Sequence, residues 1–312
     1  MYESHFGLRK CPFEMTPDPA AIFLTDAHRE ALAGLSYSIL KRKGFVVLTG
    51  KAGTGKTTLL RRLLEMTPGD DAAVSMVFNP TLSAAEFLEL LLLNFGMRDF
   101  PQSKAQRLTM LEALLTRSQS RGKTRVLVVD EAHKLNLEVL EEIRLLANFE
   151  TSDHKLLQIV LAGQPELDDL LRLPELWQLK QRIAVWLRIH SLSPGQVIEY
   201  MQYRWTRLGG GGLLPFTPDA VGLVAKCSSG IPRLINAISD NALLIAFGAK
   251  LGVVGGAQIL EAARDLDLVT PAIAAQAAPP IRLQTLERYL PGENKGLFGR
   301  WASRTSREGA HR

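Results

Sequence analysis

Gly50-Lys51-Ala52-Gly53-Thr54-Gly55-Lys56-Thr57 sits between two apolar runs. Before it, Phe45-Val46-Val47-Leu48 reads as a buried strand. After it, Thr57-Thr58-Leu59-Leu60-Arg61-Arg62-Leu63-Leu64 reads as the start of a helix. The stretch fits G-x-x-x-x-G-K-T, and the strand and helix on its flanks give that pattern its meaning. Glycines let the backbone curl until successive N–H groups point inward at phosphate oxygens. The helix that follows adds free N–H groups and the positive end of its dipole. The candidate cradle is therefore Gly50, Lys51, Ala52, Gly53, Thr54, Gly55, Lys56, Thr57 and Thr58. Lys56 is placed to reach the β- and γ-phosphates of a bound nucleotide, and the Thr57 hydroxyl to ligate Mg²⁺.

A second run supports the first. Val126-Leu127-Val128-Val129-Asp130-Glu131 is continuously apolar and ends in two acids. A run without polar alternation suits a strand of a parallel sheet covered on both faces. Such sheets bind ligands beyond the carboxyl ends of their strands, so both acids should emerge beside the phosphate loop. Asp130 is the candidate Mg²⁺ ligand. Glu131 is the candidate to orient or deprotonate the water that attacks the γ-phosphate. The chemistry implied is ATP hydrolysis.

Composition sets the wider bounds. The chain has 312 residues, 46% hydrophobic and 22% charged, which is ordinary for a soluble globular protein. Cys11 and Cys227 lie far apart and lack metal-ligand spacing, as expected in a reducing cytosol. The start, Met1-Tyr2-Glu3-Ser4-His5, lacks the features of a signal peptide, and no run approaches the length that crosses a bilayer. The expected location is cytoplasmic, with peripheral contact at the inner membrane as an extension of it. The net charge is +5, but from residue 271 onward there are seven basic and three acidic residues. Most of the excess charge thus belongs to the tail rather than to a basic patch on the body.

Four segments follow from a pass along the chain. Residues 1–35 are turn-rich up to Thr16-Pro17-Asp18-Pro19, which cannot be regular helix, and are expected to strap across the nucleotide site. A helix starts at Asp26. In 36–193 the candidate strands Phe45–Leu48, Ala72–Phe78, Val126–Val129, Leu156–Leu161 and Ala184–Ile189 alternate with helical patterns such as Ala84–Asn94, Lys104–Ser118 and Leu137–Phe149. Alternation of this kind predicts an α/β fold with a parallel sheet. In 194–270 no strand is expected. Gln196–Arg207, Pro218–Lys226, Ile231–Phe247 and Ala257–Asp265 read as helices of a small all-α lid, with Thr217 capping the second. Residues 271–312 form a low-complexity basic tail, disordered when alone.

A nucleotide-binding α/β core followed by a small helical lid resembles the AAA+ arrangement of P-loop NTPases. That resemblance implies further site residues. The strand after the Asp-Glu strand ends in a polar sensor, here Gln164. An arginine opening a lid helix reports on the γ-phosphate, here Arg233 in Gly230-Ile231-Pro232-Arg233. Arg182, just before the last strand, is the candidate arginine finger reaching a neighbour's nucleotide in a homo-oligomer, with Arg172 as runner-up.

Within AAA+ proteins the chain is similar to the ExeA/GspA-type secretion-pathway ATPases. The likeness is carried by Tyr2-Glu3-Ser4-His5-Phe6-Gly7-Leu8, Pro12-Phe13, Thr16-Pro17-Asp18-Pro19 and His28-Arg29-Glu30-Ala31-Leu32. It continues through the phosphate loop, Asp130-Glu131-Ala132-His133, Leu156 to Leu167, Gln181-Arg182-Ile183 and Gly230 to Asn236. It thus covers most of residues 1–268. It implies ATP and Mg²⁺ as cofactors, an opening segment that helps hold adenine, and a secretion or export machinery protein as partner. Many such ATPases continue into a membrane span and a peptidoglycan-binding domain, and neither is legible here. Shorter relatives serve exosortase or polysaccharide-export loci, or act on DNA as TniB/TnsC-type transposition ATPases, which makes DNA the alternative partner. In the tail, Phe298 and Trp301 with Arg300, Arg304 and Arg307 make a weak candidate membrane contact.

Overall fold

The computed structural model describes residues 2–15, 22–66, 72–78, 81–99, 101–207, 211–271 and 273. The chain divides into two compact units, Met1–Val269 and Thr270–Arg312. Thr16-Pro17-Asp18-Pro19 and the proposed membrane contact in the tail lie outside the described residues.

The described residues form five strands: β1 (Phe45–Gly50), β2 (Ala72–Val77), β3 (Thr124–Val129), β4 (Leu157–Gly163) and β5 (Ile183–Ile189). They form one parallel sheet in the order β2-β3-β4-β1-β5. Side chains alternate between its faces. Phe45, Val47, Leu127, Val129, Ile159 and Leu161 enter one apolar core, while Val46, Leu48, Val126, Val128, Val160 and Ala162 enter the other. Both faces are covered, which is why these strands read as unbroken apolar runs. The first core is closed by α3 (Ala84–Asn94), α4 (Lys104–Ser120) and α5 (Leu137–Leu146), the second by α1 (Asp26–Leu40) and α2 (Lys56–Met66).

Beyond β5 the described chain is helical: α8 (Pro194–Arg207), α9 (Pro218–Ser228), α10 (Pro232–Gly248) and α11 (Gly256–Asp265). Together with the sheet this is the AAA+ architecture of α/β core and helical lid. Between β4 and β5 come two short helices not anticipated from the sequence, α6 (Glu166–Leu170) and α7 (Trp177–Lys180). Each is a single turn or little more, too short for helical periodicity to register.

Two local expectations differ from the structure. Helix α5 stops at Leu146 rather than Phe149. Phe149 O instead accepts the Leu156 N–H at 2.9 Å, and Glu150 pairs with Lys155 across an antiparallel bridge that leads into β4. Thr217 stands at the N-cap of α9, but its side chain makes no capping bond. Its hydroxyl lies 3.4 Å from Val254 O, which also accepts the Thr217 N–H at 3.0 Å. A long-range bridge has displaced the local cap, and Pro218 in the first turn still starts the helix.

The N-terminal segment docks on the lid. Phe13 is fully buried and its ring meets Phe216 edge-on at 6.0 Å. Tyr2 donates its hydroxyl to Asp240 of α10. The Arg204 guanidinium of α8, itself buried, donates to Pro12 O at 2.7 Å and to Glu14 O at 3.1 Å. On the far side of Thr16–Ala21, Phe23 packs against Tyr200 and Tyr203 of the same helix.

Candidate nucleotide site

The phosphate loop leaves β1, between β4 and β5, at the carboxyl edge of the sheet. Gly53 and Gly55 have φ of +76° and +99°, the left-handed region that glycine enters without a steric penalty. A Cβ on Gly53 would also lie 2.7 Å from the Arg233 Cβ, so the loop and the start of α10 touch where no larger residue fits. The Arg233 N–H donates to Gly53 O across this contact at 3.3 Å.

Lys56 is buried and curls over the loop, donating to Gly50 O at 2.7 Å and Lys51 O at 3.0 Å. Burial pushes its pKa down, opposed by the negative charges of Glu131, Asp130 and Glu166. The Thr57 hydroxyl donates to Asp130 Oδ2 at 2.6 Å, so residues 73 positions apart, following β1 and β3, meet across the end of the intervening β4. Asp130 Oδ1 accepts the Glu131 N–H at 2.9 Å. Glu131 sits at φ 55°, left-handed and costly for a residue with a Cβ. Residues held so at the end of a buried strand occur where a side chain must be aimed.

These groups face a cavity of about 490 Å³. Ala52 to Thr58 of the loop, Glu131, Gln164 and Arg233 line it. Gly50 and Lys51 contribute carbonyls to Lys56 from behind it, and Asp130 reaches it through Thr57. Arg182 is not brought there. Its Nη1 donates to Arg144 O at 3.0 Å at the end of α5, and Arg172 pairs with Asp169 on the surface.

The remaining wall comes from residues that motif reading did not select. Glu14, Met15, Ile22 and Phe23 bring in the N-terminal segment, and Tyr200, Arg204 and Asn236 the lid. The Tyr200 hydroxyl donates to Asn236 Oδ1 at 2.8 Å, and Asn236 Nδ2 donates to Glu14 O at 3.3 Å. His28 of α1 is buried against the loop. Its Nε2 is 3.0 Å from Thr54 O and its Nδ1 is 2.6 Å from the Thr25 hydroxyl. A carbonyl accepts only, so Nε2 carries the proton, and burial pushes the ring's pKa down. The stretch His28-Arg29-Glu30-Ala31-Leu32 carries part of the family likeness, but nothing in it assigns this histidine a role as the loop's buttress.

The chemistry of the donor set fits nucleotide and Mg²⁺. A buried lysine and inward-facing loop suit phosphate, and a hydroxyl beside a carboxylate suits a hard cation that completes its shell with phosphate oxygens and water. Among the described residues no group of three or more His, Cys, Asp or Glu could hold a metal by itself, as expected for that arrangement.

Comparison with known proteins agrees with this geometry. An AAA domain matches residues 39–171. General secretion pathway protein A of Aeromonas hydrophila is 41% identical over 251 residues, 79% of this chain and 45% of that protein. The chain therefore spans about half the length of that relative. Among solved structures, Cdc6p of Pyrobaculum aerophilum is similar with a TM-score of 0.65 at 16% identity, covering 87% of this chain and 75% of that one. The RuvB Holliday junction branch migration motor of Thermotoga maritima is similar at 0.55 and 16%, covering 88% and 85%. At such identities these two share the fold.

Proposed function

Because the chain belongs to the AAA+ ATPases of the general secretion pathway protein A type, we propose that it binds and hydrolyses Mg-ATP to drive or switch assembly of a cell-envelope secretion or export machine. The observation that carries the reading is the cavity in which the phosphate loop, Thr57 with Asp130, Glu131, Gln164 and the lid's Arg233 converge. Mg²⁺, when bound, supplies charge neutralisation on the β- and γ-phosphate oxygens. Thr57 and Asp130 would hold it, and Lys56 would exchange its two loop carbonyls for the phosphates. Glu131 takes the proton of the attacking water, and Gln164 and Arg233 face the γ-phosphate. The apolar end of the cavity, with Met15, Ile22, Phe23 and Leu192, suits a flat adenine.

The lid and the N-terminal segment form one wall and the sheet the other. Nucleotide held between them joins the two, which gives hydrolysis a mechanical consequence. We assign that consequence to an ATP-dependent homo-oligomer in which Arg182 reaches a neighbour, and to a partner in the secretion apparatus. No helix among the described residues is long and apolar enough to cross a membrane.

Turnover and nucleotide affinity of Glu131→Gln test the reading. Expected is retained ATP binding with hydrolysis reduced by about a hundredfold or more. Near-parent turnover refutes the role given to Glu131. ATP-dependent binding to duplex DNA that weakens steeply with salt selects the alternative, a DNA-associated regulator of transposition or replication.

A further inference from the structure

We propose, on the reading of Glu131 and Gln164 as the residues that handle the attacking water, that His133 is a positioning residue that fixes the amide of Gln164 and steadies the carboxylate of Glu131. His133 lies in the one-turn 3₁₀ helix Ala132–Lys134, which starts directly after left-handed Glu131. That turn is pressed onto the end of β4. A Cβ on Gly163 would stand 3.2 Å from the His133 backbone nitrogen and 3.0 Å from the Leu167 side chain. The imidazole, 12% exposed, is thus held against Gln164.

Both ring nitrogens face that residue. Nδ1 is 3.3 Å from the Gln164 backbone nitrogen, and Nε2 is 3.2 Å from the Gln164 amide nitrogen and 3.7 Å from Glu131 Oε2. The backbone N–H can only donate, so Nδ1 accepts and the proton of the neutral ring is on Nε2. A donor at Nε2 requires an acceptor opposite. The amide of Gln164 is therefore assigned with its oxygen and nitrogen exchanged, as the hydrogen-bond network demands, so that the oxygen meets the ring and the NH₂ turns away, as a donor for an anionic γ-phosphate or an attacking water. The alternative, NH₂ toward the ring, sets donor against donor. The same Nε2–H lies beside Glu131, whose carboxylate is also 3.6 Å from Lys134 Nζ. One imidazole thus links the acid at the end of β3 to the sensor at the end of β4, through 31 residues of sequence separation.

The test is steady-state ATP hydrolysis with separate measurement of ATP affinity and melting temperature. His133→Ala is expected to lower kcat by about ten- to a hundredfold, the usual cost of losing an orienting partner, with ATP affinity within about twofold of the parent. His133→Gln, which keeps a side-chain donor near the Nε2 position, should recover most of that loss. Adding Gln164→Ala to His133→Ala should cost clearly less than the product of the two single losses, because part of the effect of His133 passes through that amide. Parent kcat in His133→Ala overturns the proposal. So does a loss of ATP affinity and melting temperature in step with kcat, or a multiplicative loss in the double variant. Glu131→Gln run alongside separates the two levels: turnover in that variant removes the underlying reading, whereas its inactivity beside a fully active His133→Ala removes the role of His133 alone.

Discussion

Replacing Arg204 with Met tests whether the N-terminal segment is held to the lid by a buried cation. Methionine keeps the apolar stem that fills the site beside Trp205 and removes only the guanidinium. Two hydrogen bonds go with it, to Pro12 O at 2.7 Å and Glu14 O at 3.1 Å. Bonds from a charged donor contribute about 1.5–3 kcal/mol each. Two effects reduce the sum. Glu14 O keeps Asn236 Nδ2 at 3.3 Å, and the variant no longer has to desolvate a cation whose partners here are carbonyls. A net loss of about 2–4 kcal/mol remains. For a unit of this size each kcal/mol corresponds to about 2–4 °C in melting temperature, so differential scanning calorimetry should show a fall of about 5–15 °C. Glu14 and Met15 line the cavity, so undocking must also weaken nucleotide binding. If the segment is docked only a tenth of the time, apparent ATP affinity falls about tenfold. Arg204→Lys, which keeps the charge but lacks the fork, should lie between parent and Arg204→Met. An unchanged melting temperature together with unchanged ATP affinity in Arg204→Met would show that neither carbonyl contact holds the segment.

The other predictions concern the loop and its neighbours. Lys56→Ala should abolish ATP binding measured by equilibrium titration while the fold is retained, because the loop keeps its shape and loses its phosphate-facing charge; binding equal to the parent contradicts the cradle. Gly53→Ala places a methyl 2.7 Å from Arg233 Cβ at a φ of +76°, so it should push the lid from the loop and weaken ATP at least about tenfold in the same titration. His28 has its pKa lowered by burial, so below the unfolded value of about 6.5 the unfolded chain binds a proton that the folded ring resists. Its contribution to stability is therefore full above that value and is lost as pH falls toward the folded pKa. Urea unfolding should show His28→Asn with a shallower decline than the parent between about pH 6.5 and 5.5, by up to about 1.4 kcal/mol per pH unit; parallel slopes would exclude it. If Arg182 acts on a neighbour, Arg182→Ala should bind ATP normally and turn over on the order of a thousandfold more slowly, and mixing it with Glu131→Gln protein should restore activity; a mixture as inactive as its parts counts against a shared site.

What the sequence determined by itself is what neighbouring residues encode. The loop, its flanking strand and helix, and the acids ending β3 each lie within a dozen residues, where apolar runs and glycine positions dictate backbone conformation. Parallel sheets align their carboxyl ends, which put Asp130 on the loop's edge of the sheet; the strand order and the 2.6 Å bond to Thr57 came with the tertiary structure. Packing decided the rest. His28 meets Thr54, His133 meets Gln164 and Arg204 meets Pro12 across 26, 31 and 192 residues. His28 and His133 stand in stretches that carry the family likeness, but nothing local gives any of the three side chains its role. Their roles exist only once α1 lies under the loop, the turn after β3 is pressed onto β4, and the N-terminal segment crosses the lid. Arg182 shows the converse. Its place before β5 was legible, but its bond to Arg144 O, on the outer end of α5 and away from this cavity, is a consequence of how that helix packs.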